Sequence, residues 1–325
     1  MRLETRLTER LGIRHPILSA TMAFAVGGAL AAAVSRAGGL GLIGGGYGDA
    51  DWLEREFTAA GNARVGCGFI TWSLARRPEL LDQVLQRAPA CVMLSFGDPR
   101  PFAPAIKAAG SLVVCQVQTL AHAREALEAG AHVMVAQGAE AGGHGSLRGT
   151  LTLVPEVADL CARQAPDTLV LAAGGIADGR GLAAALMLGA DGVLMGSRFW
   201  ASREALVPEG FHRAALAAEG DATLRTRAVD VVRQLEWPRE FTARVLRNRF
   251  TERWHGHEDA LSAVAVEEGP RYGRAFEAGD AEHGGVFVGE AVGLMHDVPA
   301  AGEIVERTVA EAAVRLQAGA RLVAG

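Results

Sequence analysis

Cysteine is scarce in this chain. Cys67, Cys91, Cys115 and Cys161 stand far apart, and three of them sit inside apolar runs. They read as small buried hydrophobes, so neither a disulfide framework nor a metal site is expected. Net positive charge is also missing: 32 Lys and Arg face 37 Asp and Glu, for a formal charge of -5. Nucleic acid or an anionic membrane would call for a basic face, so neither is expected as a partner. No apolar run approaches the roughly 20 residues of a membrane span. The opening M-R-L-E-T-R-L-T-E-R is too charged for a signal sequence, so the expectation is a soluble, cytoplasmic protein. No G-x-G-x-x-G with a downstream acidic residue follows the first apolar run, which argues against FAD or NAD as a resident cofactor. There is no low-complexity segment.

Core-forming material is abundant, with half of the 325 residues hydrophobic and only 21% charged. Eight short apolar runs stand out: Pro16–Ala20, Gly41–Gly44, Arg64–Ile70, Cys91–Phe96, Ser111–Val117, His132–Gln137, Thr168–Ala173 and Gly192–Met195. Their unbroken apolar character suits parallel strands buried on both faces. Helix formers fill the intervals, as in Phe24–Arg36, Leu120–Ala129 and Ala177–Leu188, the last two closed by Gly130 and Gly189. Eight strand–helix alternations predict a (β/α)8 TIM barrel, an α/β fold, over an open doubly wound sheet. From about Arg203 the texture turns charged. Residues 203–285 are expected to form a small helical insertion, a substrate lobe over the barrel mouth, with Phe211, Trp237, Phe241, Phe250, Trp254 and Tyr272 packing on the barrel or lining a pocket. Within it Arg244–Arg253 reads as a solvated helix face, and His255 and His257 lack the neighbours of a metal site. The barrel domain then comprises 1–202 plus 286–325, with a last helix over Glu303–Leu322.

The chemistry concentrates at strand ends. The run A-Q-G-A-E-A-G-G-H-G-S over 136–146 leaves His144 among Gly138, Gly142, Gly143 and Gly145, on a bare loop at the mouth where barrel enzymes keep their reactive groups. A solvent-facing turn histidine is the plain alternative. Two glycine signatures, L-A-A-G-G-I-A-D-G (171–179) and D-G-V-L-M-G-S-R-F (191–199), end the seventh and eighth runs. The amides of Gly174, Gly175, Gly196 and Ser197 are positioned to converge on an anion, at the usual phosphate site of this fold. Ser19, Ala20 and Thr21 at the first strand end leave room for a flat ring, and Met22 offers a soft contact. Gln116 and Gln137 are placed to meet a heterocycle edge; Gln118 is equally readable as a packed amide.

Taken together, P-I-L-S-A-T-M (16–22), G-L-G-L-I-G-G-G (39–46), the His144 loop, the two glycine signatures and V-F-V-G-E-A-V-G-L-M (286–295) resemble the nitronate monooxygenases, FMN-dependent barrels with a small second domain. The resemblance spans most of the chain and is weakest over 203–285. It implies FMN as cofactor and flavin contacts at Ala20, Thr21, Met22, Gly68, Gln116, Gln137, Gly142, Gly143 and Ala173. It puts the flavin phosphate at Gly174, Gly175, Gly196 and Ser197, and the catalytic or substrate-positioning role at His144. Two departures stand out: Gln116 replaces the family's frequent Lys, and G-C-G-F (66–69) lacks an amide that many relatives carry. The implied reaction oxidises alkyl nitronates or nitroalkanes with O2 to a carbonyl compound and nitrite. NAD(P)H:quinone reductases and flavin enoyl-thioester reductases look similar at this level. Weaker alternatives are a non-catalytic barrel binding a phosphorylated ligand and a flavin-free barrel isomerase. The expected partners are a small-molecule substrate and O2, and a homodimer is compatible with the reading.

Overall fold

The apolar runs form parallel strands in a computed structural model that describes residues 3–322. The first two and last three residues of the expected barrel segments lie outside the described residues. The strands are β1 (Ile17–Ser19), β2 (Leu42–Gly44), β3 (Gly66–Ile70), β4 (Cys91–Ser95), β5 (Leu112–Val117) and β6 (Val133–Gln137). After a short additional strand β7 (Gly143–Gly145) come β8 (Leu169–Ala173) and β9 (Gly192–Met195). Eight of them share one sheet in the order β1-β9-β8-β6-β5-β4-β3-β2. Its two ends meet: Leu18 bridges Leu40, and the Leu42 amide donates to Ser19 Oγ at 3.0 Å. The sheet thereby curls into the expected (β/α)8 barrel. Ser19, grouped in sequence with residues leaving room for a ring, instead stitches this seam and is fully buried.

Strand alternation sorts the side chains. Outward residues such as Val92, Leu94, Val113, Cys115, Met134 and Val170 pack under the helices. Inward residues, including Leu18, Leu42, Met93, Val114, Val133, Val135, Leu171 and Leu194, fill the barrel. The helix Arg6–Leu11, capped by Thr5, adds Leu7 and Leu11 to that inner cluster and plugs the barrel. Toward the C-terminal ends of the strands the filling stops. β3 brings Gly66 and Gly68 to the inward face, and a Cβ on Gly68 would overlap Cγ2 of Thr21. The helix expected from Phe24 begins at Gly28, because Phe24 adopts a left-handed backbone (φ 62°) that helix propagation cannot accommodate.

The segment 203–285 departs from a purely helical lobe. Helices Glu209–Leu216, Ala228–Val232, Arg249–Trp254 and Glu258–Glu277 are present, but so are β10 (Thr223–Thr226) and β11 (Thr242–Leu246). These pair antiparallel with each other, and β11 pairs with β7 of the His144 loop. The arginine-rich stretch hides this strand because Ala243 and Val245 alternate with charged Arg244, a period of 2 rather than 3.6. Arg244 is not a solvated helix residue: its Nε donates to the Ala139 carbonyl at 3.0 Å. Phe250, Trp254 and Tyr272 form the lobe's own core with Val229, Val232 and Leu261. A second cluster, Phe211, Leu246, Val286, Val288, Val292 and Met295, extends past residue 285 and joins the lobe to Trp200.

Leu7 is fully buried at the barrel plug. Leu7→Ala is expected to destabilise the fold by about 2–5 kcal/mol, the usual cost of emptying a core leucine site, read from the urea midpoint at unchanged m-value.

Candidate active site

A cleft opens where the inward filling ends, enclosing about 1500 Å³ of space including its mouth. Strand parity places its polar groups. Gln116 follows Leu112 and Val114 on the inward face of β5, and Gln137 follows Val133 and Val135 on β6. Gln137 is the hub: its Oε1 accepts from Gln116 Nε2 at 3.1 Å and Gln118 Nε2 at 2.9 Å, and its Nε2 donates to the His144 carbonyl at 3.1 Å. Gln118 is buried and satisfied in this network and does not reach the cleft. Ala20, Thr21, Met22, Gly68, Gln116, Gln137, Gly142, Gly143, His144, Ala173, Gly174, Gly175, Gly196 and Ser197 all line the cleft.

On one side, Gly174 and Gly175 take left-handed φ of 100° and 73°, a conformation that glycine adopts without steric cost. None of the amides of Gly174, Gly175, Gly196 and Ser197 donates to a backbone carbonyl among the described residues. Deeper in, Ser95 follows Cys91 and Met93 on the inward face of β4. Its Oγ is buried without a hydrogen-bond partner among the described residues, a state that costs free energy until a ligand heteroatom or water meets it. Glycine amides free of backbone partners and an orphaned hydroxyl thus line one cleft that also carries Ala20, Ala173 and Gly68. Nothing in the sequence singled out Ser95 except its place two residues beyond Met93.

His144 is not on a bare loop. It lies on β7, with Ala243 of β11 as its register partner. The loop before it is held by two guanidinium groups from the lobe: Arg225 Nη2 (3.0 Å) and Arg244 Nε (3.0 Å) both donate to the Ala139 carbonyl. Burial pushes Arg225 down to about 10, still cationic at neutral pH. The imidazole stacks on Trp237 with centroids 3.4 Å apart and planes 3° from parallel. Its Nε2 stands 2.9 Å from both carboxylate oxygens of Asp230. Asp230 is only 3% exposed and also receives Arg233 Nη2 at 2.9 Å. Burial pulls the His144 pKa below 6.5, opposed by Asp230 and reinforced by Arg233 and Arg225. Arg233 faces the opposite balance: burial works against its charge, but Tyr47, Tyr272 and Asp230 outweigh it and raise its pKa.

Of the lobe aromatics, Phe211 and Trp237 line the cleft, while Phe241 packs edge-on against Phe96 at 5.0 Å. Phe24, half exposed at the mouth, and Phe96, beside His144, hold left-handed φ of 62° and 64°. Such backbone strain in non-glycine residues gathers at functional sites. The sequence reading missed Asp230, Arg233, Tyr47 and Phe96. The one available signal was A-V-D-V-V-R, two charges three apart on an otherwise apolar helical turn.

The sequence model of the family described as nitronate monooxygenase matches residues 4–64 and 72–311. The chain belongs to the nitronate monooxygenase family. It is therefore an oxidoreductase of a flavin-dependent family that acts on small molecules. A nitronate monooxygenase of Neurospora crassa is 33% identical, the match covering 93% of this chain and 90% of that protein. Family members do not all carry that name. A hydroxy-methyl-oxo-octahydro-indene-carboxyl-CoA dehydrogenase of Mycobacterium tuberculosis is 31% identical across 99% of this chain and 100% of its own. Among solved structures, FabK from Thermotoga maritima superposes with a TM-score of 0.86 at 32% identity, covering 99% of this chain and 100% of that one. No helix among the described residues is long and apolar enough to cross a membrane.

The His144 environment has a pH signature. A histidine whose folded pKa lies below its unfolded value of 6.5 contributes stability that is complete above 6.5 and is lost as pH falls through the folded value. Urea unfolding at a series of pH values should show this loss in the wild-type protein and less of it in His144→Gln. Identical pH dependence in the two proteins would show that His144 carries none of it.

Proposed function

We propose that the protein is an FMN-dependent nitronate monooxygenase, oxidising alkyl nitronates and nitroalkanes with O2 to a carbonyl compound and nitrite. The observation that carries this reading is a buried imidazole, its pKa held below 6.5 by burial, that lines the same cleft as the Gly174–Gly175 and Gly196–Ser197 turns. The amides of Gly174, Gly175, Gly196 and Ser197 would hold the FMN phosphate. Ala20, Thr21, Met22, Gly68 and Ala173 would flank the ring, with Gln116, Gln137 and Ser95 meeting its polar edge. Gly142 and Gly143 would let the His144 strand approach it. FMN, when bound, takes the substrate's electrons and passes them to O2. The protein's own contribution is a base. His144 is uncharged at neutral pH because burial disfavours the imidazolium, so it can take the α-proton of a neutral nitroalkane. The aromatic walls, Phe69, Phe96, Trp237 and Phe287, exclude water from that transfer and suit a small alkyl group.

A second reading, reduction or dehydrogenation of an acyl thioester, is favoured by the mouth itself. Phe24 and Leu206 line it with about half their surfaces exposed, an apolar rim larger than a short nitroalkane fills, and one relative is named for a CoA thioester. Anaerobic mixing of the flavin-loaded protein with a nitronate, NADH or NADPH separates the two. Bleaching by the nitronate and not by the nicotinamides is expected; the reverse result selects the reductase.

Two substitutions test the assignments. Gly196 has φ near -103°, and a Cβ there would meet nothing closer than 3.7 Å, so a side chain fits the fold but intrudes on the amides that would hold the phosphate. Gly196→Val is expected to purify without flavin while keeping its unfolding midpoint. His144→Ala is expected to keep its flavin and lose neutral-nitroalkane turnover by about 10²–10⁴-fold, the range of a missing general base, with a smaller loss on the preformed nitronate. Parental rates on the nitroalkane would refute the base.

A further inference from the structure

Asp230 carries no role in the reaction as described so far, yet it is a buried carboxylate in contact with the His144 ring, behind the cleft lining. A carboxylate 3% exposed is costly unless paired and hydrogen-bonded. Its two partners are Arg233, on the next turn of the same lobe helix, and the His144 ring on β7. The Asp230–Arg233 pair is neutral as a unit, so the third member is not required to be charged. A carboxylate can only accept, hence the proton of neutral His144 sits on Nε2. Nδ1 meets no protein group among the described residues and is not sealed from solvent, so its lone pair is open on a residue that lines the cleft. Trp237, stacked flat on the ring and donating its Nε1–H to Tyr47 Oη at 3.1 Å, blocks rotation of the imidazole out of this plane.

We infer that Asp230 is a positioning residue: by accepting the Nε2 proton it fixes the tautomer of His144 and leaves Nδ1 as the atom that takes the substrate's α-proton. The proton moves from substrate carbon to Nδ1, the C–H electron pair stays on the nitronate, and the resulting imidazolium is held against the Asp230 carboxylate. This rests on the reading of His144 as a base. It also makes that base depend on the lobe, since neither Asp230 nor Trp237 belongs to the barrel. The charged and titratable groups that face the ring are Asp230 and Arg233 from the helix Ala228–Val232 and its end, Arg225 from β10, and Tyr47 behind Trp237.

The test begins with the wild-type protein. Long-range ¹⁵N–¹H NMR of labelled histidine should show His144 protonated on Nε2 and bare on Nδ1 at pH 7.5. A proton on Nδ1 overturns the inference outright, whatever any variant does. Asp230→Asn can instead donate its amide to Nε2 and reverse the tautomer. It is then expected to retain flavin and to process the preformed nitronate within a few-fold of wild type. On the neutral nitroalkane its kcat should fall by about 10²–10⁴-fold at little change in KM, the size of a lost base. Equal losses on both substrates mark a merely structural Asp230 and refute the role, as does an unaltered tautomer with unaltered rates. Should the variant not fold, the wild-type tautomer decides alone. Failure of the underlying reading looks different: parental nitroalkane rates in His144→Ala remove the base itself without touching the NMR result.

Discussion

A closed ring of parallel strands has an interior that must be filled, and everything here follows from where that filling stops. Leucine, valine and methionine side chains, plugged by Leu7 and Leu11, occupy the lower layers. Above them the same inward register delivers Gly68, Ser95, Gln116, Gln137 and Ala173, small or polar residues that leave space and aim hydrogen-bonding groups into it. Because parallel strands alternate strictly, a residue's side is decided by its parity with the leucines and valines below it. The two glutamines face the cleft for that reason.

The lobe then finishes what the barrel begins. β11 takes β7 as a partner, which turns a glycine-rich loop into an ordered strand. Arg225 and Arg244 satisfy the Ala139 carbonyl at its entrance. Asp230 and Trp237 fix the imidazole at its edge and its face. Reactive groups are useful only when their supporting contacts hold them in place, and here those contacts come from a segment more than eighty residues further along the chain. The glycines on either side of His144 allow the close backbone approach; the lobe removes the freedom they would otherwise leave.

The barrel and the segment 203–285 both line the cleft. The barrel supplies Gly174, Gly175, Gly196 and Ser197 at the ends of β8 and β9. The segment 203–285 contributes Trp237 and the half-buried Arg233 to its wall, and Phe24, Tyr47 and Phe287, outside that segment, add to the aromatic lining.

Much of this was readable in advance, and for a definite reason. Strand positions, the barrel, the glycine turns at the strand ends and the family follow from short-range pattern: apolar runs of strand length, glycines at their ends, and motifs whose spacing is local. The helical reading of 203–285 failed at β10 and β11, where an arginine-rich stretch with period 2 forms strands that pair with each other and, through β11, with β7. His144 could be picked out from its glycines, but not its carboxylate: Asp230 lies in A-V-D-V-V-R, a turn with no motif of its own. The sequence by itself determined the barrel, the cleft's glycine floor and the histidine, because each is encoded within a few residues. Only the tertiary structure decided what surrounds that histidine, because the carboxylate of Asp230 and the ring of Trp237 are carried to it by folding from a distant part of the chain.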